Sequence, residues 1–168
     1  MKIKQHNNTY DASIQYKMIS PLGNIFLVAS DLGLQGVFLQ KQKHPIVTRL
    51  QNRIPSQKIL SQAIEQLNAY FKGQRKKFDL PFDIQGTEFQ KKVWKALSQI
   101  PYGKTCSYKD IAQKIKHEKA VRAVGTANGK NPLCIIVPCH RVIAADGSLG
   151  GYSGGLNVKQ QLLSLEQI

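Results

Sequence analysis

The nonapeptide IIVPCHRVI, residues 135 to 143, sets a thiol, an imidazole and a guanidinium side by side at the end of an apolar run. A cysteine becomes a nucleophile only as its thiolate, which needs a cation, a hydrogen-bond donor or a helix N-terminus nearby. Pro138 interrupts any regular strand pairing just before Cys139, and His140 and Arg141 supply polar partners just after it. Most buried free cysteines are inert packing residues, and Cys134 inside LCIIV reads that way. Cys106 in GKTCSY reads as incidental beside a turn. Cys139 is the candidate nucleophile, although a histidine next in sequence often points away from the thiol. Three cysteines with no CxxC argue against a disulfide framework. His6, His44, His117 and His140 do not fall into metal-ligand spacing with them. Neither a metal nor a cofactor is expected.

The partner of such a site is suggested by charge. Lys and Arg total 24 against 10 Asp and Glu, a formal net charge of +14. That excess favours a polyanion, nucleic acid ahead of an anionic membrane surface, with surface solubility as the plain alternative. A hydrophobic content of 42% is too high for a disordered chain. No apolar run approaches the roughly 20 residues that cross a bilayer. The basic start MKIKQHNNTY lacks an apolar core, so no secretory signal and a cytoplasmic location are expected.

The elements that must hold the site follow from periodicity and turn residues. Residues 10 to 40 read as a meander: SIQYKMIS alternates Ile14, Tyr16 and Met18, PLGN turns, IFLVAS follows as a buried strand, and DLG leads to LQGVFLQ. Ile59, Leu60, Ala63, Ile64, Leu67, Tyr70 and Phe71 recur at helical spacing, with Ser56 as the expected cap and Gly73 as the stop. QRKKFDLPFDIQG reads as a linker, which divides the chain near residue 80 into 1–80 and 81–168. The second half opens with Thr87 and Gln90 in capping-box spacing, before a helix facing inward with Phe89, Val93, Trp94, Leu97 and Ile100. Ser107 and Asp110 repeat the box, and KAVRAVGTANGKNP follows the break at KHE as a small-residue helix. LCIIVPC is a buried segment, ADGSLGGYSGG a loop, and a last helix turns Leu156, Leu162, Leu163 and Leu165 inward. The fold class is α/β (α+β): strands and a helix, then helices.

Two short helices across a tight break make a helix-turn-helix candidate. A helix that reads sequence offers Arg, Asn or Gln to base edges. This one offers Ala120, Val121, Ala123, Val124, Gly125, Thr126 and Ala127, with Arg122 as its one long central side chain. The small residues could simply pack on the preceding helix, leaving Arg122 solvated. With the net charge added, a helix that grips DNA without reading it is the better account.

NPLCIIVPCHRVI, followed by GSLGGYSGG and VKQQLL, closely resembles the acceptor-site signature of the O6-alkylguanine-DNA alkyltransferases, the methylated-DNA–protein-cysteine methyltransferases. The resemblance extends through SYKDIA and AVRAVGTANGKNP, over most of residues 87 to 166. The first half carries no matching motif, and its layout is compatible with the family's ribonuclease-H-like N-terminal domain. The second half would be a helical domain with a winged-helix-like helix-turn-helix.

The resemblance implies a role for each matching position. Cys139 would accept the alkyl group, His140 would act through a water as its base, and Glu166 would orient the histidine. Asn131 would hold the turn before the active-site strand. Tyr108 would bond the flipped guanine and help protonate the leaving base. The backbones of Cys139 and Val142 would accept from the guanine amino group, with Ser153 near O6 and Tyr152 as a wall. Arg122 would fill the gap left in the duplex, and Ala120, Val121 and Gly125 would lie along the minor groove. The implied partner is double-stranded DNA carrying O6-alkylguanine, with O4-alkylthymine as a further substrate. The implied protein is a single-turnover, cytoplasmic monomer. Some members bind zinc in the first domain; with no cysteine before Cys106, no zinc is expected here. Two rival readings stand beside this one. A helix-turn-helix regulator would need base-reading side chains, and a thiol hydrolase would need an oxyanion-hole motif.

Overall fold

The structure, a computed structural model, describes residues 13–43, 46–51 and 54–167. The stretch tested above for a secretory signal, together with His6 and His44, lies outside the described residues. Runs of β-branched and aromatic residues form β1 (Ile14–Ser20), β2 (Gly23–Ala29) and β3 (Leu34–Phe38), an antiparallel sheet in that order. Gly23 takes a φ of +95° to close the first turn, where the Ser20 hydroxyl donates to its carbonyl at 2.8 Å. The expected alternation of β1 holds in part. Met18 is buried and Ile14 and Tyr16 are half-buried, but Gln15 between them is fully buried as well. Its side chain donates to the Gln42 carbonyl at 2.6 Å and accepts the Gln42 N–H at 3.2 Å, so it anchors the loop that follows β3.

Helix α1 (Pro55–Phe71) lays Ile59, Leu60, Ala63, Leu67 and Tyr70 on the sheet. Ser56 is not its cap. Pro55 already occupies the first turn, where a missing N–H costs nothing, and the Ser56 N–H donates to Asp31 Oδ1 at 3.0 Å. The helix ends as expected at Gly73, whose φ of +70° turns the chain so that the Gln74 N–H reaches the Ala69 carbonyl at 2.9 Å.

The segment after α1 is tied down more firmly than a linker. Leu34 N–H donates to Pro81 O at 2.8 Å, and Asp83 N–H returns to Leu34 O at 3.0 Å. The Asp83 carboxylate accepts from Ser30 and Gln35 side chains at 2.6 and 2.9 Å. Farther along β3, Val37 N–H donates to Pro132 O at 2.8 Å. One strand therefore positions both the connection between the halves and the start of the segment that carries Cys139.

Both capping boxes form, at Thr87 with Gln90 for α2 (Glu88–Leu97) and at Ser107 with Asp110 for α3 (Tyr108–Lys114). Lys116 makes the break at φ +59°, and α4 (Val121–Gly129) follows. The Trp94 indole N–H donates to Ala127 O at 2.9 Å and pins α4 to α2. In α5 (Leu156–Leu165), Leu162 and Leu163 are buried and Leu165 is half-buried, but Leu156 is 53% exposed. Its first-turn position projects past the core, and Lys159 takes the inward place one turn later. Among the described residues no helix is long and apolar enough to cross a membrane.

Candidate active site

Asn131 shapes the loop that delivers the thiol. Its Nδ2 donates to Val137 O at 2.8 Å while its Oδ1 accepts from Leu133 N–H at 3.0 Å, so one buried amide holds both arms. The segment between them is buried as expected, but it is a series of tight turns and not the strand that the resemblance implied. Ile136 N–H donates to Cys134 O at 2.9 Å and Val137 N–H to Leu133 O at 2.8 Å. This compression holds Ile135 at φ +74°, a conformation that costs a β-branched residue roughly 1–3 kcal/mol. Cys139–Arg141 then form a 3-10 turn, and β5 (Val142–Ile143) pairs in parallel with β4 (Cys106–Ser107).

Cys139 is 1% exposed and His140 is wholly buried. His140 Nε2 lies 2.9 Å from Glu166 Oε1, so Nε2–H donates to the carboxylate and Nδ1 is left as the acceptor. Nδ1 is buried and has no hydrogen-bond partner among the described residues. Glu166 is the hub. It accepts from the Tyr70 hydroxyl at 2.6 Å and from Arg141 through Nε at 2.8 Å and Nη2 at 2.9 Å, a bidentate fork. Arg141 Nη1 continues to Ile100 O at 2.6 Å. Burial alone would raise the Glu166 carboxyl, but hydrogen bonds from His140 and Arg141 outweigh it and hold the group well below the usual carboxylate range. Burial, opposed by Glu166, lowers the His140 imidazole below its usual 6.5. At neutral pH it is uncharged and able to take a proton.

Tyr70 and Arg141 are participants that the sequence did not reveal as such. Tyr70 counted as core on the apolar face of α1, and only its hydroxyl hinted at a polar partner. Arg141 stood inside the motif without an assigned partner.

The cysteines differ sharply. Cys134 is buried as expected, yet it borders the site: its Sγ is 3.9 Å from Ser153 Oγ and 3.9 Å from Asn131 O. The neighbouring Cys134 side chain, then burial, push the Cys139 thiol well up, while Asn131 and Tyr152 pull it the other way. A thiol raised in this way is protonated at neutral pH and needs a base in order to ionise. Cys106 is pushed up to about 11, first by burial and then by Asp110, and takes no part.

A cavity of about 430 Å³ is lined by Tyr108, Gly125, Asn128, Gly151, Tyr152 and Ser153, within the usual size range of small-molecule sites. Burial, and then the nearby Cys139, raise the Tyr108 phenol, which stays protonated as a donor. Gly150 makes room for it: a Cβ there would lie 3.1 Å from the phenol oxygen, at a φ of +67°. The Tyr152 hydroxyl is buried without a hydrogen-bond partner among the described residues. The Val142 carbonyl accepts from the buried Lys159 ammonium at 2.6 Å, and that ammonium also bonds the carbonyls of Leu149 and Gly151. Lys159 thus clamps the glycine-rich loop to the strand behind the thiol, a tie that spacing did not reveal. Gly125 and Asn128 bring α4 to the cavity, and Arg122 lies exposed one turn earlier on the same side. Ala120, Val121 and Gly125 are half-buried. Cys139, His140, Glu166, Asn131, Tyr108, Val142, Tyr152 and Ser153 thus belong to one neighbourhood, and Arg122 stands on its outer border.

The family model for the 6-O-methylguanine DNA methyltransferase DNA binding domain matches residues 88–168, and that for the ribonuclease-like domain matches residues 15–84. A methylated-DNA–protein-cysteine methyltransferase of Methanosarcina barkeri is 48% identical over 148 residues, covering 88% of this chain and 93% of its own length. One from Mycobacterium bovis is 48% identical over 156 residues, covering 92% and 93%. Among solved structures, Mycobacterium tuberculosis OGT in complex with DNA matches with a TM-score of 0.81 at 43% identity, over 92% of each chain. The O6-methylguanine-DNA methyltransferase of Pyrococcus kodakaraensis, at 22% identity and a TM-score of 0.55, shares the fold. Two adjoining family matches and relatives nearly half identical along their length lead to one conclusion: the chain belongs to the 6-O-methylguanine DNA methyltransferase family.

Proposed function

We propose that this protein repairs DNA by direct reversal, taking the alkyl group from O6 of a guanine flipped out of the duplex onto Cys139. One observation carries the reading. His140 is fixed by Glu166 through Nε2 and has no partner at Nδ1 among the described residues, and the residue before it in the chain is a thiol that holds its proton until a base removes it. In the reaction the thiol proton passes through a water to Nδ1. The Cys139 sulfur bonds to the alkyl carbon as the carbon–O6 bond breaks, and its electron pair returns to the base, which takes a proton from Tyr108. The Cys139 and Val142 carbonyls receive the guanine amino group, Ser153 faces O6 and Tyr152 walls the site. A thioether is not hydrolysed here, so each molecule reacts once. O4-alkylthymine is a second substrate of the same cavity.

The partner is duplex DNA. Eversion of a base costs a few kcal/mol, least at a damaged pair. Arg122 fills the gap that the base leaves, with Ala120, Val121 and Gly125 along the minor groove. The net charge of +14 supports a grip on phosphates, as does the DNA-bound relative. We further propose that the functional division falls near residue 80, with 81–168 as the DNA-binding and acceptor unit, and that the protein works as a monomer. The test is stoichiometry: excess duplex with one labelled O6-methylguanine should deposit one equivalent of label per protein and then stop. Repeated turnover, or no transfer, would refute the reading.

A further inference from the structure

A second cavity, of about 630 Å³, opens where the connection after α1 meets the segment that leads to Cys139. It shares no lining residue with the cavity that Tyr108 borders. Its floor is aliphatic, from Ile136, Val137 and Pro138, all buried. Phe78, Phe82 and Tyr102 extend this apolar lining; Phe82 is 46% exposed and the other two rings are half-buried. Exposed apolar surface with a charged rim marks a place of contact with another molecule.

Charge narrows what that molecule is. Lys76 and Lys77 line the same cavity and are exposed. Lys76 Nζ lies 5.3 Å from the centroid of the Tyr102 ring, and neither lysine has an ion-pair partner among the described residues. No Asp or Glu among the described residues lines the cavity. Arg75 Nη1 donates to the Lys77 carbonyl at 2.9 Å, which holds the basic turn in shape. The third cation, Arg141, is already neutralised by Glu166 at 2.8 Å. Two unpaired ammonium groups over an aliphatic floor suit an anion that is joined to an apolar group. A second copy of this chain, at +14, is repelled. A nucleic acid would satisfy the lysines, but the polar edges of its bases would lose their hydrogen bonds on the floor. An acidic peptide instead places one apolar side chain there and keeps its backbone at the rim. We propose that this cavity docks an acidic peptide segment of another protein, with an aliphatic or aromatic side chain on the floor and carboxylates on Lys76 and Lys77. Arg141 borders the seat, so the partner lies against the residue that holds Glu166 and leaves the base cavity open.

The test pans the whole protein, with undamaged duplex DNA present to occupy α4, against displayed short random peptides. Enriched peptides, resynthesised with a fluorescent label, should join clustered Asp or Glu to Leu, Phe or Trp. Lys76→Glu combined with Lys77→Glu should weaken their binding about tenfold. Phe82→Ala, which removes an apolar wall, should do so to a similar extent. Lys58→Glu combined with Lys92→Glu, the same change of charge at exposed sites outside the cavity, should cost about twofold at most. All the replaced side chains are exposed, and cooperative melting checks that each variant folds. No enrichment of such peptides, equal weakening by the two charge pairs, or binding indifferent to Phe82→Ala would overturn the proposal. Oligothymidylate that displaces the peptides and is itself weakened by both cavity variants would overturn it too, in favour of a single-stranded nucleic acid.

Discussion

Between residues 13 and 71 the chain folds around apolar contacts, whereas between 88 and 167 it buries a set of polar groups at its centre. The first region presses one helix on a three-stranded sheet through residues such as Ile25, Leu27, Leu60 and Leu67, all with no exposed area. The second keeps His140, Arg141, Lys159 and Glu166 at 5% exposure or less. Burying such groups is costly unless each is hydrogen-bonded, and here they bond to one another or to backbone carbonyls. Of these four side chains, His140 alone keeps an atom, Nδ1, without a partner among the described residues. The regions meet where the Tyr70 hydroxyl of α1 reaches Glu166 at 2.6 Å. A half without a chemical motif thus contributes to the electrostatics of the half that has one.

Cys139→Ala should remove alkyl transfer altogether and leave affinity for DNA largely intact; label appearing on Cys134 or Cys106 in that variant would count against the assignment. Glu166→Gln should slow transfer about a hundredfold, since general-base catalysis is worth about 10²–10⁴. It should also lower stability by about 3–5 kcal/mol, because Arg141 keeps a buried charge without its partner; urea unfolding beside single-turnover kinetics measures both. Arg122→Ala should slow repair of duplex at least tenfold, on the scale of the few kcal/mol of base eversion, yet spare reaction with the free alkylated base. Equal loss on both substrates would remove its role in flipping.

Tyr70→Phe sharpens the contact between regions. Losing one hydrogen bond to a charged group should cost about 1.5–3 kcal/mol of stability and slow transfer only severalfold. A rate loss matching that of Glu166→Gln would make the first region a full partner in catalysis. The smallest effect is on stability against pH. Because the folded imidazole of His140 lies below 6.5, the unfolded chain takes up that proton first, so stability falls as pH drops below 6.5. The slope is at most about 1.4 kcal/mol per pH unit for one proton. Glu166, held low in the fold, adds its own loss only below the usual carboxyl value of 4.5. Melting temperatures that do not change between pH 7 and 5 would contradict the assignment of His140.

What could be read from the sequence was local. The two capping boxes join residues three apart, and both form as their spacing predicts. Gly73 ends α1 because only the residues around it decide that conformation. The acceptor motif is likewise contiguous, which is why Cys139, His140 and Asn131 could be named together. The rest depends on partners brought close by folding. Asp31 caps a helix 25 residues away, Gln15 anchors a loop 27 residues away, and Tyr70 meets Glu166 across 96. Leu156 is exposed while Lys159 is buried, because the place that Lys159 fills on α5 faces the backbone carbonyls of Val142, Leu149 and Gly151. Cys134 reads as core packing for the same reason: nothing in LCIIV tells that its sulfur comes within 3.9 Å of Ser153 in the glycine-rich loop.

In the proposed reaction a buried thiol gives up its proton to an imidazole and its sulfur afterwards keeps a carbon. Peptide mass analysis, after one exposure to duplex containing O6-methylguanine, tests it most directly. The account predicts a single added methyl on the peptide that carries residue 139, with Cys106 and Cys134 unmodified. An unmodified Cys139 in protein that has repaired its duplex would contradict it.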